Sequence, residues 1–218
     1  MNIINTVQKS PQTTVDKLLE RSSSLIYRQF DVEQLGGWGM LSNRLHEEYC
    51  SKNATIYLGM VCPACKGNDF SLGWGTNKNV IYCPDCGGQL GSFWSESRTK
   101  HRFSQQISPL GVTAFNGADL VGFIWGFEKT ILTEDKPGLY IEMVVLDKKH
   151  RHSKLGGSAI LGMFLSIEKI LKDLNYPYIF VRTFNRKFMV TRWLKMLKYV
   201  QECECQEDSS RILYKKML

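Results

Sequence analysis

Four of the seven cysteines stand as Cys62-Pro63-Ala64-Cys65 and Cys83-Pro84-Asp85-Cys86, two CxxC pairs with 17 residues between them. Four thiolates at that spacing suit a tetrahedral zinc ion, because a tight turn over two residues brings each pair of sulfurs onto one metal. Gly67 and Gly87-Gly88 follow the two halves and give the backbone freedom to bend there. Asn77, Lys78 and Asn79 read as the tip between short strands at 70–74 and 80–82. The alternatives are two disulfides or a thioredoxin-type redox pair. Disulfides conflict with a start, MNIINTVQKSPQTT, that has no secretion signal, and a redox motif has no use for a second CxxC. The spacing therefore predicts a structural zinc ribbon held by Cys62, Cys65, Cys83 and Cys86. A site of four thiolates is closed to water and substrate. Cys50, Cys203 and Cys205 are left over.

A second region has chemistry suited to anions. The chain carries 28 Lys and Arg against 21 Asp and Glu, a formal charge of +7, and a pI near 9.0. Between Asp147 and Lys198 there are twelve basic residues and three acidic ones. Within that stretch Lys149, Arg151 and Lys154 surround the expected start of a helix near Ser153, with Leu155, Gly156 and Gly157 in its first turn. The first N–H groups of a helix have no partner in the helix and carry its positive dipole end, so they suit a pyrophosphate. The other reading is that the Gly-Gly pair allows close packing on a sheet. His150 and His152 flank Arg151 and read as phosphate contacts or solvated side chains. The basic half and the ribbon, with Lys66 and Lys78, also leave nucleic acid as a partner.

Elements must hold these residues in place. With 218 residues, 43% hydrophobic and 22% charged, the chain folds around a full core with room for a small appendage. No apolar run approaches the ~18 residues of a membrane span, so a soluble, cytoplasmic protein with no membrane partner is expected. Thr13 and Asp16 open a first helix whose apolar stripe (Val15, Leu18, Leu19, Ser22, Leu25, Ile26) predicts helix to about Gln29. Asp31 could cap a second helix, interrupted by Gly36, Gly37 and Gly39 before Leu41, Leu45 and Tyr49 resume the stripe. From Gly111 the pattern turns to β: strands at 112–115 and 120–127 around Asn116-Gly117, and a third at 139–146 that is apolar on both faces apart from Glu142, as a central strand would be. A helix over 155–174, a strand at 178–184, a helix around Met189, Trp193 and Leu197, and strands at 199–205 and 212–217 complete the order.

This order resembles the GNAT superfamily of acyl-CoA-dependent N-acyltransferases. The family's central strand and loop commonly read I-E-x-x-x-V-x-P-x-x-R-x-x-G-x-G. Here Ile141-Glu142 opens the stretch and Arg151 and Gly156 match, while Leu146, Lys148 and Lys154 replace the valine, the proline and the first glycine. Val121-Gly122-Phe123 and Asn185 also fit. The resemblance covers residues 111–218 and implies an α+β fold with a central mixed β-sheet flanked by helices. It implies N-terminal helices at 1–60, the ribbon inserted at 61–92 and the acyl-CoA-binding core at 93–218. It further implies acetyl-CoA as co-substrate and direct attack by an amine of an unidentified acceptor. Glu142 would be the base, against the alternative of an ion pair. Val144, Val145 and Leu146 would bind pantetheine, with the N–H of Val145 or Leu146 on the oxyanion. Arg151, His152, Ser153, Lys154, Leu155, Gly156 and Gly157 would hold the pyrophosphate, and Asn185 would contact the cofactor arm or cap a helix. The family's usual general-acid tyrosine falls at Leu194. The alternative function is a non-catalytic GNAT-fold zinc protein that binds nucleic acid or a protein partner.

Overall fold

The computed structural model describes residues 17, 19–49, 60–62, 64, 82, 83, 85–131, 134–184, 189–205 and 208–218. In chain order the elements are a helical segment at 19–23 (α1), β1 (Ile26–Gln29), the 3-10 turn η1 (Glu33–Leu35), α2 (Gly37–Tyr49), β2 (Met60–Val61), β3 (Gly91–Ser92), α3 (Glu96–Ser104), β4 (Leu110–Asn116), β5 (Asp119–Lys129) and β6 (Gly138–Leu146). They continue with the 3-10 turn η2 (Lys148–His150), α4 (Lys154–Asp173), β7 (Tyr178–Phe184), α5 (Met189–Met196), β8 (Val200–Cys205) and β9 (Asp208–Met217). The chain divides into two compact units: the residues up to Phe30 with Leu110–Leu218, and Asp31–Pro109.

The first unit is built on a mixed seven-stranded sheet in the order β1-β4-β5-β6-β7-β9-β8. The expected α+β mixed sheet is the one found, and β6 lies at its centre. Every pairing is antiparallel except β6 with β7. A parallel neighbour requires a crossover, and the 20-residue α4 supplies it. Ala159, Ile160, Met163, Phe164, Ile167 and Leu171 recur at helical spacing and are buried with Val112, Ala114, Ile124, Ile141 and Ile179 in one core.

Three local readings are corrected. The first helix does not reach Gln29: Ser23 and Ser24 turn their hydroxyls onto the carbonyls of Glu20 and Arg21, at 2.6 and 2.7 Å, and helix gives way to the edge strand β1, paired with β4 from Ile26–Phe115 to Gln29–Val112. The β4–β5 turn is displaced by one residue, because Asn116 pairs with Asp119 and the two loop positions are Gly117 and Ala118. Helix α3 has no counterpart in the sequence reading. Its residues, ESRTKHRFS, carry no apolar period; it is held instead by Arg98, 6% exposed, whose Nε donates to the Phe93 carbonyl at 2.9 Å while its guanidinium lies 4.8 Å from the Phe93 ring centre.

Helix α2, α3 and the short β2–β3 pair belong to the second unit. Gly36 and Gly37 take φ of +88° and +84° and break the chain between η1 and α2, while Gly39 lies within the helix. Val61 pairs with Gly91 and Met60 with Ser92. His46 Nδ1 meets Ser92 Oγ at 2.8 Å, and Ser42 Oγ donates to the Trp94 carbonyl at 2.8 Å. Among the described residues no helix is long and apolar enough to cross a membrane.

A charge pair with a buried carboxylate and a partly buried ammonium fastens the first unit. Glu168 on α4, 5% exposed, accepts from Lys216 Nζ on β9 at 2.5 Å. The Lys216 ammonium also stands 5.6 Å from the ring centre of Tyr199. Burial, and then the Glu168 carboxylate beside it, push the Tyr199 hydroxyl well above the ordinary phenol range. Removing one partner of such a pair strands the other charge in the core. Lys216→Met is therefore expected to cost about 3 kcal/mol of stability in a denaturant titration, whereas Glu168→Leu with Lys216→Met together should recover most of the loss.

Candidate functional site

Strand β6 carries an irregularity where the chemistry is expected. Trp125 faces Met143 across the β5–β6 ladder and Gly126 faces Ile141, so Glu142 is an extra residue on β6, a β-bulge. The bulge shifts the alternation of the strand. Leu139 and Ile141 point into the core under α4 before it, and Val144 and Leu146 pack against that core after it, while Met143 and Val145 stand opposite Trp125 and Phe123. A three-residue step replaces the two-residue period of a regular strand.

The bulge coincides with a parting of strands. The parallel ladder of β6 with β7 spans Leu139–Ile179, Tyr140–Phe180 and Ile141–Val181 and goes no further. Yet β6 runs on to Leu146, and β7 runs on to Phe184. The C-terminal half of β6 therefore keeps β5 as its ladder partner on one side and has parted from the β7 ladder on the other. Asp147 N–H donates to the Val121 carbonyl on β5 at 2.9 Å. Because successive N–H groups of a strand point to opposite edges, the Leu146 N–H is directed to the edge away from β5.

The loop after β6 is tied down residue by residue. Asp147 Oδ1 accepts from the Lys149 N–H at 3.3 Å, and Arg151 Nε donates to the Leu146 carbonyl at 3.2 Å, folding η2 back over the strand end. His152 takes φ of +61°, a left-handed conformation that histidine tolerates better than bulkier residues. Ser153 caps α4: its Oγ accepts from the Gly156 N–H at 2.9 Å and donates to the His150 carbonyl at 2.7 Å. Gly157 N–H reaches the Ser153 carbonyl at 3.2 Å. The first-turn donors left to face an anion are thus the N–H groups of Lys154 and Leu155.

This division of labour changes the meaning of the glycines. Gly156 is buried, and a Cβ there would collide with the His150 carbonyl, so this glycine lets α4 approach the loop and gives its N–H to Ser153. Gly156→Ala gains up to about 1 kcal/mol of helix propensity but meets backbone that cannot swing aside, an overpacking of about 1–3 kcal/mol. The expected balance is a loss of about 1 kcal/mol in a denaturant titration, with weaker anion binding at the displaced loop.

The structure brings Glu142, Val144, Val145, Leu146, Arg151, His152, Ser153, Lys154, Leu155, Gly156 and Gly157 onto one strand end, loop and helix start. His152, Ser153 and Lys154 are exposed, and Glu142 is half-buried. Asn185 lies outside the described residues. Leu194 is fully buried in the core, as is Tyr199 nearly so. Asp119, which the sequence reading passed over, places Oδ1 3.0 Å from Lys149 Nζ.

In the second unit the Sγ atoms of Cys62, Cys83 and Cys86 all lie within 4.8 Å of one another. Cys62 and Cys86 are 3.5 Å apart, close to the ~3.8 Å between thiolates on one tetrahedral zinc with Zn–S bonds of about 2.3 Å. Gly87 at φ +69° donates to the Cys83 carbonyl at 2.9 Å, and Cys83 N–H donates to the Gly88 carbonyl at 2.8 Å, which curls the backbone around the sulfurs. Cys65 and residues 70–74 lie outside the described residues.

No protein-family model matches the chain, and no curated protein matches it. Solved structures do resemble it. An aminoglycoside 6'-acetyltransferase of type Ii superposes with a TM-score of 0.51 at 14% identity, over 88% of this chain and 96% of the other. A GNAT-family protein from Desulfovibrio desulfuricans superposes with a TM-score of 0.50 at 14% identity, over 88% and 98%. At that identity the likeness shows architecture alone: the chain has a GNAT-like fold.

Proposed function

We propose that the protein is an N-acyltransferase that moves an acetyl group from acetyl-CoA to an amine by direct attack, with a structural zinc in its second unit. The observation that carries the proposal is the parting of β6 from β7 at the Glu142 bulge, with the parted edge of β6 running directly into a basic loop and a helix start. Lys154 and Leu155 N–H, with the Arg151 and Lys154 charges, suit a pyrophosphate. The residues after the bulge, Val144, Val145 and Leu146, would take the pantetheine arm as a strand-like neighbour.

In this reading the acceptor amine attacks the thioester carbonyl, forming the C–N bond, and the C–S bond then breaks. The Leu146 N–H, directed away from β5, stabilises the oxyanion. Glu142 takes the amine proton, directly or through one water. Leu194, where the family's acid tyrosine commonly stands, has no proton to give, so water protonates the departing thiolate. Cys62, Cys65, Cys83 and Cys86 would hold zinc. It would supply cross-linking rather than catalysis, since four thiolates leave no open position.

The test is release of free thiol from acetyl-CoA in the presence of a panel of small amines, amino-terminal peptides and amine-bearing nucleotides, with mass detection of the acetylated product. Amine-dependent thiol release supports the reading. Salt-sensitive nucleic-acid binding by a zinc-loaded protein without coenzyme A affinity would select the non-catalytic alternative instead.

A further inference from the structure

We infer that Asp119 sets the affinity of the acyl-CoA site from outside it, by competing with the cofactor's phosphates for Lys149. The inference rests on the acyl-CoA reading above. Lys149 sits in η2, between the end of β6 and the start of α4. Its ammonium pairs at 3.0 Å with Asp119 Oδ1, at the first residue of β5, and both side chains are more than half exposed. The pairing is held by the backbone: Asp147 N–H on the Val121 carbonyl and Lys149 N–H on Asp147 Oδ1 fix η2 against the beginning of β5. A carboxylate is thereby stationed beside a loop that carries Lys148, Arg151 and Lys154 as well as Asp147.

The consequences follow from charge. An exposed ion pair is weak and screened by salt, so a phosphate with up to two negative charges and three acceptor oxygens can draw Lys149 away from it. The displaced carboxylate stays on the β5 end and repels that phosphate. Asp119 thus lowers cofactor affinity twice, by occupying Lys149 in the free protein and by repulsion in the complex. It is a residue that tunes affinity and makes no contact with the reacting atoms.

The experiment is calorimetric titration of acetyl-CoA into the wild type, Asp119→Asn, Lys149→Gln and the double variant, at about 20 mM and about 500 mM salt. Asp119→Asn is expected to lower Kd about two- to fivefold at low salt, with the gain shrinking at high salt and being smaller in the Lys149→Gln background. An unchanged or weaker Kd for Asp119→Asn, or a gain equal in both backgrounds and indifferent to salt, overturns the inference while leaving the acyl-CoA reading intact. No binding by the folded wild type overturns that reading, and the inference with it.

Discussion

Cys62→Ser and Cys86→Ser are each expected to release the metal and to unfold the region around the cysteines. The apolar support there is slight among the described residues, whose buried cluster consists of Cys62, Cys83 and Leu90. A hydrophobic group of that size supplies only a few kcal/mol, whereas the apparent free energy of a structural zinc in small ribbons is on the order of 10 kcal/mol. The metal term therefore dominates, and losing one of four thiolates forfeits most of it. Native mass spectrometry should show one zinc per wild-type chain and none in either variant. Protease digestion should cut the variants within residues 60–92 while the sheet of the first unit persists. A wild type that is fully folded and protease-resistant after exhaustive chelation would refute the zinc assignment.

Glu142→Gln is expected to lower kcat by about 10²–10⁴-fold while leaving the Kd for acetyl-CoA unchanged, because proton removal is lost and the loop and helix start that suit the pyrophosphate are untouched. The isosteric amide keeps the bulge. Its pH profile separates a base from a structural residue: without a base, attack depends on amine that is already neutral, so the rate of the variant should climb about tenfold per pH unit below the amine's pKa. A Glu142→Gln enzyme with wild-type kcat and profile would assign Glu142 to an ion pair, the alternative that its residue type also allowed.

Strong periods made much of the scaffold legible. The apolar run of β6 and the 3.6-residue stripe of α4 predicted a central strand followed by a long helix, and the structure has both. The bulge at Glu142 was not legible, since a strand apolar on both faces hides a change of parity. Helix α3 was hidden for the opposite reason, its buried contacts being made by Arg98 and Thr99 rather than by an apolar stripe. The serines that end α1 act through hydrogen bonds to preceding carbonyls, while the apolar spacing continues past them. Gly156 was legible as a required glycine, but the reason differs: it admits the His150 carbonyl, and Ser153 takes its N–H. The Lys149–Asp119 pair joins residues 30 positions apart, and only the β4–β5–β6 register brings them together.

The acyl-CoA site proposed at the parted end of β6 and the start of α4 is open to direct measurement. The most direct measurement is calorimetric titration of acetyl-CoA into the zinc-loaded wild type at low salt. The prediction is saturable binding of one acetyl-CoA per chain, weakened by salt and competed by coenzyme A. A folded, zinc-loaded protein that takes up no acetyl-CoA would contradict the account.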